Sequence, residues 1–155
     1  MSGLDVLTGD SFNLQIKLHH IYIMNTILRN IIALIAGVIL GSVLNMSFIV
    51  AGSKVFPLSK SFEPMNAMNW DLKFFIFPFL AHALGTLAGA FIAAKIASTY
   101  KKTFALIVGA FFLIGGTMMV FMLPAPLWFI VLDLTVAYIP MGWLGWRIAK
   151  RSLSN

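Results

Sequence analysis

Residues 103–123 read TFALIVGAFFLIGGTMMVFML: twenty-one positions with no charge, directly behind Lys101 and Lys102. At a rise of about 1.5 Å per residue such a run crosses a hydrocarbon core of about 30 Å as an α-helix. An open strand is excluded there, because each unpaired backbone group in lipid costs several kcal/mol. Working outward, the same reading gives three more spans, at residues 30–51 after Arg29, 73–98 from Lys73, and 127–148 up to Arg147. The remainder of the chain agrees. Of 155 residues 60% are hydrophobic and 10% charged, and the mean hydropathy is +0.93. A soluble domain carries about 25% charged residues. The expected fold is therefore all-α, a polytopic membrane protein of four transmembrane helices arranged as two tandem helical hairpins.

Eight of the eleven cations border one end of these spans: Lys17, Arg29, Lys95, Lys101, Lys102, Arg147, Lys150 and Arg151. Lys54, Lys60 and Lys73 border the other. The positive-inside bias puts both termini in the cytoplasm and the segments 52–72 and 124–126 outside. Cations at span ends answer to topology rather than to nucleic acid, which needs them on one solvated face. The competing reading of span one is a cleavable signal, but its apolar run exceeds the usual 7–15 residues. Residues 1–24 form a separate segment, a flexible or interfacial arm in which Phe12, Leu14, Ile16 and Leu18 alternate with polar residues. Met24 reads as an alternative natural start to Met1, and residues 25–155 constitute the transmembrane domain.

Small residues recur every fourth position. Span two carries Ala81, Gly85, Gly89 and Ala93, span one Gly37 and Gly41, and span four Gly145. Such stripes let helix backbones approach closely where the solvent is itself apolar. Ala33-Leu34-Ile35-Ala36-Gly37 resembles Ala105-Leu106-Ile107-Val108-Gly109, and Gly89 and Gly145 fall in matching places of spans two and four. These offsets, 72 and 56 residues, describe a parallel tandem repeat of hairpins. Trp70, at the end of the outer segment, suits an interfacial anchor, the alternative being a cap over an outward cavity.

Within the spans Asp133 is the only carboxylate and His82 the only imidazole. Intramembrane ionisable groups are costly and mark functional sites by default. Counting from their outer ends, Asp133, Asn45 and Thr117 lie about 9 Å deep and His82 about 13 Å. The expectation is one polar layer, with Thr86 and Tyr138 as further members. It serves either as a clasp fixing helix register or as a pocket in which a proton exchanges between Asp133 and His82. Pro140 and Pro78 each remove a helical hydrogen bond and predict kinks beside these groups. There is no cysteine, no His-x-x-His or Glu-x-x-His pair and no phosphate loop, so neither metal nor cofactor is expected. His19-His20 are adjacent and share no helix face. Met65 and Met68 make two thioethers without a third ligand.

Phe77-Pro78-Phe79-Leu80-Ala81-His82-Ala83-Leu84-Gly85-Thr86, with Leu123-Pro124-Ala125-Pro126 and Ala137-Tyr138-Ile139-Pro140-Met141, resembles a group of small uncharacterised four-span bacterial membrane proteins. The resemblance covers about residues 25–150 and implies the bacterial inner membrane but no activity. The expected function is a small integral inner-membrane protein without evident catalytic machinery. It would be an accessory or assembly subunit, or a homo-oligomer packed through small-residue helix faces, its partners being lipids and membrane proteins and not nucleic acid. The alternative is a small proton-linked transporter or channel built on Asp133 and His82. An enzyme would have to act within the membrane, on a lipid or quinone.

Overall fold

The computed structural model describes residues 3–57 and 66–153, with side chains from Phe12 onward. The chain is a multi-pass membrane protein with four apolar helical spans, 12–55, 72–96, 101–122 and 127–152. Helix α1 (Gly3–Val55) contains span one, α2 (Ile76–Ile96) follows a 3-10 turn (Leu72–Phe75), and α3 (Lys101–Met122) forms span three. Span four is two helices, α4 (Leu127–Val136) and α5 (Ile139–Ser152). No strand occurs among the described residues. Residues 3–24 are helical and continuous with span one. At about 1.5 Å per residue α1 is about 80 Å long, so its first turns extend well beyond the bundle.

The centre of the bundle is α2, which touches α1, α3 and α5. Its small residues explain that position. A Cβ built on Gly89 would lie 2.5 Å from the Gly37 carbonyl oxygen, and one on Gly37 would lie 2.7 Å from that of Gly89. Gly41 and Gly85 make the same reciprocal approach one turn further along, each 2.8 Å from the other's carbonyl. Ala81 and Ala93, on the same stripe, are fully buried. On another side of α2, Gly145 of α5 sits against the Leu87 carbonyl and the Phe91 amide, beside buried Ala90, Ala94, Ala105 and Ala149.

The two hairpins do not repeat each other's contacts. Under the 72- and 56-residue offsets Gly109 would meet Gly145, the counterpart of Gly89. Gly109 instead packs on Tyr138 and Gly142, while Gly145 turns to α2. The break in span four, described below, changes the register before Gly145 is reached.

At the end rich in cations, α1 clamps the turn between α2 and α3. Asn30 Oδ1 accepts the Ser98 amide at 2.9 Å, and Asn30 Nδ2 donates to Thr99 Oγ1 at 3.0 Å. This holds Tyr100 in the left-handed region, at φ 46°. Arg29 Nε donates to the Ile96 carbonyl at 2.8 Å, and Lys101 Nζ reaches the carbonyls of Ala94 and Ala97. Cations thus satisfy the free carbonyls of the α2 C-terminus, where the helix dipole also favours them. At the opposite end Ala67 N donates to the Pro124 carbonyl at 2.8 Å, joining the two outer segments. Met65, together with residues 58–64, lies outside the described residues.

Replacing Gly89 by Ala should force α1 and α2 apart, because the obstacle is a backbone oxygen rather than a movable side chain. The expected loss is about 1–3 kcal/mol of stability, read as a lowered unfolding midpoint in detergent. An unchanged midpoint would show that the helices are not in backbone contact.

Candidate functional site

Asp133 is the residue around which the site forms. It is 4% exposed and has two side-chain partners. His82 Nδ1 lies 2.9 Å from both Oδ1 and Oδ2, and Tyr138 Oη donates to Oδ2 at 2.9 Å. Where the Asp133 carboxylate accepts from the ring, Nδ1 carries the hydrogen, and Nε2 of a neutral imidazole is an acceptor. Among the described residues Nε2 has no protein partner.

The contact between Tyr138 and Asp133 depends on the break in span four. Five residues along an unbroken helix correspond to about 500°, which would place the two side chains about 140° apart. Pro140 has no amide hydrogen to give to the Val136 carbonyl, and the helix ends there. Ala137 and Tyr138 form a turn, Tyr138 adopting φ −117° and ψ −77°, and α5 restarts with Pro140 in its first turn. The kink expected at Pro140 is thus a full interruption, and it swings the phenol back onto the carboxylate. Pro78 behaves differently. It lies in the first turn of α2, where an amide hydrogen would have no helical acceptor in any case.

A third helix makes room for the phenol. A Cβ on Gly116 of α3 would overlap the Tyr138 hydroxyl, so only glycine fits opposite it. Its neighbour Gly115 has nothing within 4 Å of the same position. Sequence reasoning did not single out Gly116. The Gly115-Gly116 pair was its only signal, and no pattern says which of two adjacent glycines faces inward.

Above the cluster lies a cavity of about 400 Å³. Asp133 and His82 are at its polar end with Asn45, and its walls include Ile49, Phe75, Met119 and Phe129. Trp70 packs on Phe74 and Phe75 and lines the cavity. Of the two ionisable groups His82 is the accessible one, its side chain 19% exposed against 6% for Asp133. The Asn45 amide, half-buried, has no hydrogen-bond partner among the described residues. A ligand in this cavity would meet apolar walls with the Asn45 amide, the His82 ring and the Asp133 carboxylate at one end, and Trp70, whose buried Nε1 has no partner among the described residues.

Two expected members of the layer are not part of it. Thr117 is exposed and returns its hydroxyl to the Leu113 carbonyl at 2.8 Å, the usual local solution for a threonine on a helix surface. Equal depth brought it into the expectation, but depth carries no information about facing. Thr86, one turn beyond His82 on α2, is 1% exposed and walls no part of the cavity. Its hydroxyl has no partner among the described residues. No group of three metal-ligating side chains occurs among the described residues. No family model, curated protein or solved structure matches the chain.

The adjacent glycines supply the test of this geometry. Gly116→Ala should expel the Tyr138 hydroxyl from Asp133 and cost about 1–3 kcal/mol. Gly115→Ala, facing open space, should stay within about 0.5 kcal/mol of the parent. Thermal unfolding in detergent separates the two, and equal effects would mean that the phenol is not where the structure puts it.

Proposed function

We propose that this chain is a small proton-linked transporter of the bacterial inner membrane, with both termini cytoplasmic and the cavity opening outward. The observation that carries the reading is the cluster of His82, Asp133 and Tyr138 at the polar end of an apolar cavity. Its size suits a ligand: binding cavities run from about 300 to 1,000 Å³, apolar with a few placed polar groups.

The chemistry follows from the ring nitrogens. With Nδ1 committed to Asp133, the Nε2 lone pair can take a proton or a hydrogen bond from a ligand, but not both. Proton and ligand therefore compete for one atom, which is the minimal requirement for exchanging one against the other. A neutral imidazole bonded to an ionised carboxylate would carry one negative charge beside the apolar cavity, an arrangement that would favour a ligand bearing a cationic donor. A lipophilic amine fits this description. Movement across the membrane would require the two hairpins to rock about the cluster, because the glycine contacts of α2 close the opposite half.

The accessory-subunit and homo-oligomer reading has lost part of its support. Gly37, Gly41, Gly85, Gly89 and Gly145 are occupied by contacts within one chain, and so do not offer small-residue faces to a second copy.

The test is ethidium and a panel of lipophilic amines in proteoliposomes under an imposed pH gradient. The parent should show gradient-driven flux. His82→Ala and Asp133→Asn should lower it on the order of tenfold, equivalent to about 1.4 kcal/mol lost from the ring's interaction with proton or ligand. Circular dichroism and size-exclusion chromatography would confirm that both variants fold. Flux in His82→Ala equal to that of the parent would overturn the proposal, as would a panel that never moves.

A further inference from the structure

The end of the bundle opposite the cavity carries an independent feature. Lys102 Nζ lies 5.4 Å from the centre of the Trp146 ring, and Lys150 Nζ lies 5.8 Å from the same ring. The indole is held in place by its packing on Ala90, Ala94, Ala105 and Ala149. Beside it a cleft of about 350 Å³ is lined by Ala94, Lys101, Trp146, Lys150 and Leu153. Two ammonium groups, one from α3 and one from α5, therefore lie against one packed indole, and a third, that of Lys101, lines the cleft beside it.

Among the described residues Lys101, Lys102 and Lys150 have no carboxylate partner. The five acidic residues are Asp5, Asp10, Glu63, Asp71 and Asp133. Asp71 and Asp133 belong to the cavity half. Asp10 precedes Arg29 by nineteen residues of helix, or about 28 Å. Among the described residues no carboxylate lies within ion-pair distance of Lys101, Lys102 or Lys150; the ion pairs found are Lys73 with Asp71 and His82 with Asp133. Gathering like charges without an anion is unfavourable at the low dielectric of a membrane boundary.

We propose that the cleft between α3 and α5 binds the phosphate headgroup of an anionic phospholipid. Lys150, in the wall of the cleft, and Lys102, on the Trp146 ring beside it, reach the phosphate oxygens; Lys101, at the start of α3 and bonded to the Ala94 and Ala97 carbonyls, adds charge, and Trp146 supports the glycerol region at the depth where indoles settle. Basic clefts between spans take anionic headgroups for this reason. A lipid is favoured over an acidic protein because the cleft lies at the boundary of the spans, where acyl chains can follow the apolar faces of α3 and α5.

Native mass spectrometry of the full chain in detergent tests this with two lipids, dioleoyl phosphatidylglycerol and dioleoyl phosphatidylcholine. The parent should retain phosphatidylglycerol preferentially. The double variant Lys102→Gln/Lys150→Gln should lose about tenfold or more of that retention, because two ammonium contributions are removed. Lys17→Gln/Lys54→Gln removes the same charge from exposed positions and should change nothing. Equal loss in both pairs, or no preference in the parent, would overturn the proposal by reducing it to net charge. Inorganic phosphate bound with the same sensitivity to the variants, without a preference for phosphatidylglycerol, would also overturn it, as the ligand would then be a free anion. Should the double variant fail to fold, a photoactivatable phosphatidylglycerol on the parent replaces it. Crosslinks at α3 residues 101–105 and α5 residues 146–153 support the cleft, and their absence from both overturns it.

Discussion

A carboxylate inside an apolar helical bundle has to be solvated by the protein itself. On insertion scales an Asp at the centre of a span costs about 2.5–3.5 kcal/mol, and removing one partner of a buried pair leaves an uncompensated charge worth about 3–5 kcal/mol. Asp133 meets this constraint by drawing on three helices. His82 comes from α2 and Tyr138 from the turn between α4 and α5, while α3 contributes only the absence of a side chain at Gly116. Each of these needs something further. Tyr138 needs Pro140 to interrupt span four, and His82 needs α2 at the centre of the bundle. The central position of α2 depends in turn on the glycines that bring α1 and α5 against it.

The same economy explains why the molecule is closed at one end and hollow at the other. From Ala81 to Ala93 the stripe of α2 has no side chain larger than a methyl group, so α1 lies backbone to backbone upon it. On the other side of His82 the residues are large. Phe75 meets Phe129 at 4.7 Å between ring centres and Trp128 at 5.3 Å, and Trp70 stacks onto the same group. Aromatic rings hold the helices apart where small residues draw them together. The cavity is the space left between the two regimes, and the ionisable cluster stands at their boundary.

Much of this was legible in the sequence. Four apolar runs bordered by Lys and Arg decide the spans, because the requirement for about 20 mostly apolar residues is severe. That Asp133 and His82 share one layer was legible for an energetic reason, since either would be costly facing lipid, but whether they touch was not. What one-dimensional reading could not supply was facing. Thr117 sits at the depth of Asp133 and turns outward. Tyr138 entered as a neighbour one turn away, whereas the contact exists only because the helix stops between them. The tandem repeat shows the same limit. Glycines that match in sequence do not make matching contacts: Gly37 packs on Gly89, whereas its counterpart Gly109 packs on Tyr138 and Gly142 rather than on Gly145.

Polar side chains at the two ends of the bundle are handled in opposite ways, and the contrast bears on function. At the cation-rich end Arg29, Asn30, Lys95 and Lys101 are all bonded to backbone or side-chain oxygens, which locks the α2–α3 turn. At the cavity end His82 Nε2 and the Asn45 amide have no such partner among the described residues. A structural clasp would gain by satisfying every group, since an open donor or acceptor in a poorly solvated place is destabilising. Among the described residues the buried side-chain polar atoms left without a partner are Trp70 Nε1 and Thr86 Oγ1, whereas His82 Nε2 is open to the cavity while Nδ1 is fixed by a buried carboxylate. It is the arrangement expected of a group whose remaining partner comes and goes.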